Sequence, residues 1–269
     1  MLTELVISTY QKPQYLKLAL SALAQQTRLP DSVCIADDGS DDRTSAVIEG
    51  FRRDFALIPL RHVWHPDLGF RKTRILNDSV RSSTADYLIF IDDDCLMHPR
   101  FVERHLRLAA PGRFVTGSVV RLGREFSRSL LAADHMVWTA HGRPLGWAPA
   151  RLSDWLKAMP LPPGVMGVLD ALSPIRKSWA GGNSSTLRAN ILAVNGFDEA
   201  MAYGGEDKEF GVRLGNAGIR GRTLRYSAPL YHLDHPKGYI DPDVQRRNRE
   251  MIVAARTGGK TRTEQGIAP

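Results

Sequence analysis

The chain has 269 residues, enough for one large α/β domain with a sizeable core. Its formal net charge of +7 and pI near 9.6 suit an anionic ligand or surface, although charge alone does not select among nucleotides, acidic lipids and nucleic acid. The two cysteines, Cys34 and Cys95, show neither a disulfide framework nor zinc-site spacing, and no run approaches eighteen apolar residues, so we expect free thiols in a cytoplasmic protein that does not span a membrane.

The first 110 residues alternate between strand-like and helix-like patterns. The predicted strands cover, in chain order, residues 5–7, 33–36, 57–64 and 87–91. Helices are predicted after Pro13, after a cap at Asp42, and at residues 71–80 and 101–108. This alternation indicates βαβ units with right-handed crossovers, and therefore a Rossmann-like, mostly parallel sheet flanked by helices. Since no G-x-G-x-x-G follows these strands, a nicotinamide or flavin enzyme is not expected.

Acidic residues follow two of these strands, where a glycine-rich loop would otherwise be expected. The second strand ends in Asp37-Asp38-Gly39-Ser40, and the fourth ends in Asp92-Asp93-Asp94. Ligands of open α/β sheets bind beyond the carboxyl ends of the strands, so we expect both clusters to face one crevice. A nucleotide would contact the first cluster there, and a divalent metal would join the second to a diphosphate.

The acidic triplet itself needs a positive partner. Like charges this close raise one another's pKa unless a counter-ion neutralises them. Side chains of an extended segment alternate, which predicts that Asp92 and Asp94 point the same way and that Asp93 faces away. Three basic residues at the start of the third helix either attract phosphate or form a solvated face: Arg71, Lys72 and Arg74.

The segment from 119 to 176 shows no regular alternation, and we expect it to be a variable insertion. Within it, one apolar face of a helix is predicted from Leu152, Trp155, Leu156 and Met159. That face suits a helix lying on a membrane surface, and it equally suits a helix packed on the core.

Short motifs occur in both halves of the chain. The first half contains Val6-Ile7-Ser8-Thr9-Tyr10, the two acidic clusters and Arg74-x-x-Asn77. The second half contains four more, at residues 179–185, 196–199, 203–207 and 210–214. In this order they resemble the family 2 glycosyltransferases of GT-A fold. The second set is similar to the acceptor-side block of chondroitin-polymerase-type and β4-galactosyltransferase-type enzymes.

The resemblance implies a nucleotide-sugar site in the first half of the chain. Asp38, or its neighbour Asp37, would contact the uracil or the ribose, and Asp92 would bind the ribose or the donor sugar. Asp94 would ligate Mn2+ or Mg2+. The remaining donor-binding residues that we expect are Thr9, Arg71, Arg74 and Asp93.

A further metal ligand is expected from the far half, where the segment from Tyr231 to Pro236 is rich in histidine. His232 matches the position of the family ligand best, and His235 is the alternative. For His232 and for His235 the alternative is a surface histidine with satisfied hydrogen bonds, because a lone histidine is more often that than a metal ligand.

The second half also supplies the residues expected to act on the acceptor. The resemblance implies that Asp207 is the general base. The residues themselves agree, because Gly204-Gly205 lets the backbone approach a sugar, and the N-terminus of the following helix favours an ionised carboxylate. We expect the acceptor site to include Trp179, Gly181, Gly182 and Glu206. The Trp179 ring and Gly181-Gly182 should form its floor.

We therefore expect a single GT-A domain over residues 1–240, followed by a basic C-terminal tail, 241–269, whose end frays. The domain should consist of a nucleotide-binding half, a variable insertion, and an acceptor and catalytic-base half, at residues 1–118, 119–176 and 177–240.

The expected activity is inverting, metal-dependent transfer of a sugar from a UDP-sugar donor to a hydroxyl of a glycan or lipid-linked acceptor in surface polysaccharide synthesis. We expect a cytoplasmic location with peripheral contact to the membrane face. Nucleic acid is not expected as a partner, because the basic residues are not interleaved with aromatic ones. Two alternatives remain open: a sugar-phosphate nucleotidyltransferase, whose glycine-rich N-terminal loop is missing from Ser8 to Pro13, and a non-catalytic sugar- or nucleotide-binding relative.

Overall fold

The fold is taken from a computed structural model, which describes residues 1–236 and 241–268. The strands are β1 (Thr3–Thr9), β2 (Ser32–Asp37), β3 (Leu60–Trp64), β4 (Tyr87–Asp92), β5 (Cys95–Met97), β6 (Arg113–Gly117), β7 (Val119–Arg121), β8 (Asn183–Leu187), β9 (Arg220–Leu224) and β10 (Leu230–His232). The helices are α1 (Pro13–Ala24), α2 (Asp42–Asp54), α3 (Lys72–Arg81), α4 (Phe101–Leu108), α5 (Arg124–Ala133), α6 (Leu152–Lys157), α7 (Pro163–Leu172), α8 (Arg188–Ala193), α9 (Glu206–Asn216) and α10 (Pro242–Thr257).

Seven of the strands form a central sheet in the order β3-β2-β1-β4-β8-β6-β9. β1 pairs in parallel with β2 and β4, and β2 pairs in parallel with β3. β8 runs antiparallel to both β4 and β6, while β6 and β9 are parallel. This order confirms the predicted α/β class with a mostly parallel sheet. A second, three-stranded sheet has the order β5-β10-β7.

The sequence of β4 explains why the central sheet is buried on both faces. All five residues from Tyr87 to Ile91 are at most 2% exposed. The odd-numbered residues of this segment pack in one core cluster and the even-numbered residues in a second, as strand alternation requires. Cys34 and Cys95 are buried in these clusters as free thiols, in agreement with the prediction.

The two acidic clusters come together because β1 lies between β2 and β4. Thr9 pairs with Asp37, and Ser8 pairs with Asp92, in the register of the sheet. The strands therefore end at the same edge, and the residues that follow them share one crevice. This arrangement was predicted from the parallel order of the strands.

Several element boundaries differ from the predictions. The third strand begins at Leu60 rather than at residue 57, because residues 56–58 form a turn. The cap of α2 is Asp41 rather than Asp42, since the Asp41 carboxylate accepts a hydrogen bond from the Arg43 N–H at 3.1 Å.

Part of the segment 119–176 packs into the domain. β7 pairs with β10, and Leu130 joins a third core cluster. In contrast, the predicted apolar helix face is open to solvent at Leu152, Trp155 and Leu156, which are 72%, 43% and 39% exposed. Packing of this face on the core, one of the two alternatives, is therefore wrong. Among the helices that the structure describes, none has both the length and the apolar character needed to cross a bilayer.

Residues 241–268 of the C-terminal tail are folded, in contrast to the prediction that the tail frays towards its end. α10 packs against α9, where the Asn216 amide donates hydrogen bonds to the carbonyls of Ala255 and Lys260 at 2.9 and 2.8 Å. Beyond the helix, the Ala268 N–H donates to Asn195 Oδ1 at 2.8 Å. A polar, basic composition does not reveal such contacts, because side-chain amides from distant parts of the chain make them.

Candidate functional site

A cleft of about 660 Å³ opens where β1, β2 and β4 end. Open α/β sheets bind their ligands at this edge. Predicted donor and metal residues from both halves of the chain meet there. The lining residues used below are Thr9, Lys12, Asp38, Phe70, Lys72, Asp92, Asp93, Asp94, Tyr203, His232 and His235.

Asp94, Lys12, His232 and His235 form one group, which we call the Asp94 cluster. The Asp94 carboxylate lies 2.9 Å from Lys12 Nζ, 3.4 Å from His232 Nε2 and 3.0 Å from His235 Nε2. The backbone explains how the distant histidines reach it. His232 pairs with Cys95 where β10 meets β5, and the N–H of the next residue donates to the Asp94 carbonyl at 2.9 Å.

Charge and burial act in opposite directions on the two neighbouring carboxyls of this cluster. Burial opposes ionisation of Asp94, but the hydrogen bond from His235 and the charges of His232 and Lys12 outweigh it and hold the pKa of Asp94 below its usual value. For Asp93, burial and the charge of Asp94 raise the pKa of the carboxyl.

Asp93 does not face away from the cleft as the strand alternation predicted. It lines the cleft and accepts a hydrogen bond from the Thr9 hydroxyl at 2.7 Å. The reason is that β4 ends at Asp92, so the alternation of a strand no longer applies to the next residue.

The Asp94 cluster fits a divalent metal ion. The ligand atoms of Asp94, His232 and His235 all lie within 4.8 Å of one another, so one ion could contact all three. A donor set with two imidazoles suits Mn2+ better than Mg2+, which prefers oxygen ligands throughout. The ammonium group of Lys12 beside Asp94 indicates that this position already stabilises a cation. Both histidines stand at Asp94, although only one of them was expected there.

Lys72, Asp92, Glu206 and Asp207 form a second group, which we call the Lys72 cluster. Lys72 Nζ lies 2.6 Å from Asp92 Oδ1, and the Ser8 hydroxyl donates to the same oxygen at 2.6 Å. Burial opposes the charged form of Lys72, but the charges of Asp92, Glu206 and Asp207 outweigh burial and raise the pKa of the ammonium group. The Lys72 ammonium group therefore contacts one carboxylate, Asp92, and is stabilised by the charges of two more.

Backbone N–H groups hold the Asp207 carboxylate in a defined orientation. Asp207 stands in the first turn of α9, after Gly204 and Gly205, whose φ angles of +103° and +106° lie in the left-handed region that favours glycine. Its Oδ1 accepts from the Lys208 N–H at 2.8 Å, and its Oδ2 accepts from the Gly181 N–H at 3.2 Å. Asp207 and Glu206 are outside the residues that line the cleft, but their charges act on Lys72, which lines it.

Gly181 lies against the side chain of Asp207, and Gly182 lies against that of Asp92. A Cβ on Gly182 would stand 2.8 Å from Asp92 Oδ2, and one on Gly181 would stand 3.5 Å from the Cβ of Asp207. The absence of a side chain at Gly182 thus lets Asp92 approach the backbone closely. In this structure the glycines position the two carboxylates.

The prediction that the Trp179 ring forms a floor for the acceptor sugar is wrong. Trp179 is 1% exposed, and its ring packs in the core against Phe90, Phe114, Phe197 and Phe210. A sequence motif does not distinguish an aromatic ring in a sugar site from one in the core. Tyr203, which is 47% exposed and lines the cleft beside Phe70, is an aromatic residue that a sugar can reach.

The two acidic residues that end β2 have different environments. Asp37 is fully buried, where it accepts from the Ser40 N–H at 2.8 Å and contacts His62 Nε2 at 3.0 Å. Asp38 lines the cleft and lies 2.7 Å from His65 Nε2. Of the two predicted nucleotide contacts, only Asp38 can therefore touch a ligand without a rearrangement.

The basic residues at the start of α3 also differ from the prediction. Arg71 contributes its backbone N–H, which donates to Asp38 Oδ2 at 3.0 Å, while its guanidinium donates to the carbonyl of Pro66. Arg74 is exposed and lies outside the cleft lining. Of these three basic residues, the one that lines the cleft is Lys72.

Sequence reasoning missed the partners of the acidic residues. Three basic residues that contact the acidic strand ends were not singled out: Lys12, which contacts Asp94, His62, which contacts Asp37, and His65, which contacts Asp38. The excess of carboxylates at the strand ends was a signal that cations must come from elsewhere in the chain. It did not identify them, because the pairing depends on tertiary structure.

A buried asparagine of α10 supports the loop that precedes Asp207. Asn248 is 3% exposed, and its amide donates hydrogen bonds to the carbonyls of Ala202 and Gly204 at 2.9 and 2.8 Å. The segment beyond residue 240, expected to be a tail, therefore holds part of the site in place.

Comparisons with protein families agree with this geometry. A family model described as "Glycosyl transferase family 2" matches residues 4–152, and one described as "N-terminal domain of galactosyltransferase" matches residues 173–236. Validoxylamine A glucosyltransferase of Streptomyces hygroscopicus subsp. limoneus is 31% identical over 229 residues, which are 81% of this chain and 49% of that protein. Chondroitin synthase of Escherichia coli is 25% identical over 244 residues, covering 86% of this chain and 34% of that protein. The chain thus spans half or less of these two relatives.

Solved structures share the fold at low sequence identity. TarS 1-349 of S. aureus in complex with UDP has a TM-score of 0.59 and 15% identity, covering 94% of this chain and 65% of that one. The mannosyltransferase PcManGT from Pyrobaculum calidifontis, in complex with GDP-Man and Mn2+, has a TM-score of 0.58 and 16% identity, covering 95% of this chain and 63% of that one. At this identity the likeness establishes the GT-A fold alone, as predicted.

Proposed function

The chain belongs to glycosyl transferase family 2, and from this premise we propose that it transfers a sugar from a UDP-sugar to an acceptor hydroxyl with inversion at the anomeric carbon. The observation that carries the proposal is the placement of Asp207. Two backbone N–H groups orient its carboxylate, and its charge acts on Lys72, which lines the donor cleft and contacts Asp92. Membership of the family decides against the sugar-phosphate nucleotidyltransferase alternative.

The donor would lie over the ends of β1, β2 and β4. Asp38 would accept a hydrogen bond from the uracil or ribose, and Asp92 would contact the ribose or the donor sugar. The cleft is supported as a nucleotide site by TarS, whose structure contains UDP. Lys12 would approach the diphosphate, because its ammonium group already stands between two acidic residues of the cleft.

The chemistry would be a single displacement with Asp207 as the base. The acceptor oxygen forms a bond to the anomeric carbon, the bond from that carbon to the diphosphate breaks, and the acceptor proton passes to the Asp207 carboxylate. One base opposite the leaving group is sufficient, unlike the carboxylate pair of a retaining glycosidase. Held by Asp94, His232 and His235, a divalent ion would offset the charge of the diphosphate leaving group.

For the metal, we propose Mn2+ rather than Mg2+. The two imidazoles of the Asp94 cluster favour the transition metal. PcManGT, which shares the fold, was solved with Mn2+.

We propose that the acceptor is a glycan or lipid-linked sugar of a surface polysaccharide. The support is the chondroitin synthase among the relatives and the exposed aromatic ring of Tyr203 at the cleft. A sugar ring would stack on Tyr203 next to Glu206, in place of the buried Trp179. The exposed apolar face of α6 suits peripheral contact with the cytoplasmic face of a membrane.

The test is UDP binding and donor turnover measured on one protein preparation. UDP binding should require Mn2+ and should weaken in Asp94→Ala, whereas Asp207→Asn should bind UDP normally and lose turnover. UDP binding that is indifferent to both EDTA and Asp94→Ala would overturn the proposal.

A further inference from the structure

A second cavity, of about 540 Å³, lies at the β9 edge of the central sheet, between α4, α7 and β9. It shares no lining residue with the donor cleft. Four of its lining residues are basic and one is acidic: Arg104, Arg107, Lys177 and Arg222 against Asp170. We call this cavity the Arg104 pocket.

Arg104 is buried, and among residues 1–236 and 241–268 no side chain forms an ion pair with its guanidinium. It is 3% exposed, and its Nε has no hydrogen-bond partner among residues 1–236 and 241–268. Burial and the charges of Arg100 and Arg107 lower the pKa of Arg104, and they outweigh the opposing charges of Glu103 and Asp170. A buried cation without a partner is costly, so an anion in the pocket would remove a penalty that the free protein carries.

The one acidic residue of the lining does not supply this anion. Asp170 accepts a hydrogen bond from the Tyr226 N–H at 2.7 Å and another from the Ser227 hydroxyl. Both carboxylate oxygens thus hold the turn at residues 226–227, and Asp170 acts on Arg104 through its charge without forming an ion pair with it among the described residues. The basic side chains of the pocket keep a surplus of positive charge.

The wall of the pocket formed by α7 is apolar and open to solvent. The sequence of this helix, Pro163 to Leu172, contains one charged residue, Asp170. Val165, Val168 and Leu172 are 46%, 57% and 75% exposed. A helix so apolar is normally buried in protein or lipid, and an exposed apolar patch beside a cationic hollow suits an amphiphilic anion.

We propose that the Arg104 pocket binds the phosphate group of an anionic phospholipid while α7 contacts the apolar layer below the headgroups. The buried guanidinium would donate charge-assisted hydrogen bonds to the phosphate oxygens, and Arg107 and Lys177 at the rim would attract the charged surface. This site lies at α7, whereas the membrane contact proposed above uses the apolar face of α6. It does not depend on glycosyl transfer, because the pocket and the donor cleft are separate.

The experiment is co-sedimentation of the full chain with phosphatidylcholine vesicles, with and without phosphatidylglycerol. Binding should require phosphatidylglycerol, and Arg104→Gln should weaken it about tenfold. The matched control is Arg53→Gln, which removes the same charge from an exposed position of α2 and should change binding by less than about twofold. Equal losses in the two variants would overturn the site, since non-specific attraction alone would then explain binding.

Further measurements separate the outcomes. Removing a buried charge that has no ion pair should leave the Tm of Arg104→Gln equal to or higher than that of the wild type. If the variant nevertheless fails to fold, the exposed residues Arg107 and Lys177 are each replaced by Gln instead. Each of these changes should weaken vesicle binding by about fivefold. Val168→Asp should also weaken vesicle binding, because it places a charge on the apolar wall. Arg104-dependent binding of inorganic phosphate without vesicle binding would show a free-anion site and overturn the lipid assignment.

Discussion

The Asp94 cluster and the Lys72 cluster, called below the first or metal end and the second or base end of the donor site, have opposite charge arrangements. In the Asp94 cluster, one carboxylate lies 2.9 to 3.4 Å from three basic side chains. In the Lys72 cluster, one ammonium group is influenced by three carboxylates. A divalent ion bound at the first end would replace Lys12 as the cation beside Asp94. The Lys12 side chain, which is 31% exposed, would then have room to turn towards a diphosphate. At the second end the surplus is negative, so a carboxylate remains available to take a proton.

The largest effect should follow from Asp207→Asn, which removes the base and leaves the Lys72 cluster with two carboxylates. We expect turnover to fall by about a thousandfold while UDP binding stays unchanged, because the amide cannot accept the acceptor proton. Single-turnover sugar transfer at saturating donor measures this. The control is Asp243→Asn in the first turn of α10, which should keep wild-type turnover. Turnover of Asp207→Asn within a few-fold of wild type would remove the assigned difference between the two ends.

The metal end should respond next most strongly. Asp94→Ala is expected to weaken Mn2+ binding by about a hundredfold, since it removes the charged ligand. Calorimetric titration of Mn2+ in the presence of UDP measures it. His232→Ala and His235→Ala should each weaken Mn2+ binding as well, because both rings stand at Asp94. If one of these histidine variants binds Mn2+ like the wild type, the site has a single imidazole ligand.

Replacing the two lysines should change different properties: stability for Lys72 and Mn2+ affinity for Lys12. Lys72→Met leaves three carboxylates without their shared cation, and the free energy of unfolding should fall by about 2 kcal/mol. Lys12→Met removes the group that competes with a metal for Asp94, so Mn2+ affinity should rise by up to about fivefold. Urea unfolding and Mn2+ titration of both variants measure these effects. Lower Mn2+ affinity in Lys12→Met would mean that Lys12 supports the metal rather than competing with it.

The sequence was sufficient for the parts of this comparison that depend on strand order. The positions of Asp92 and Asp94 followed from two acidic segments at the ends of predicted parallel strands. The partners did not follow, because Lys12 and Lys72 reach the carboxylates from a loop and a helix whose packing leaves no local pattern. Trp179 was misplaced for the same reason: a motif fixes the order of residues, whereas burial depends on what packs around them.

The smallest effect should come from Asn248, which ties α10 to the loop before Asp207 and, within the part of the chain that the structure describes, has no hydrogen bond to the Asp94 cluster. Asn248→Ala removes hydrogen bonds to three loop carbonyls, those of Ala202, Tyr203 and Gly204, so we expect kcat to fall by about threefold as Asp207 loses its fixed position. Mn2+ and UDP binding should not change. Asn216→Ala is the control, because it removes two amide hydrogen bonds to the C-terminal segment and none that the structure describes to this loop. Both variants should lose about 1–2 kcal/mol of unfolding free energy. An equal loss of kcat in both variants would show that α10 acts through overall stability, whereas a loss confined to Asn248→Ala shows that it positions the base at one end of the cleft.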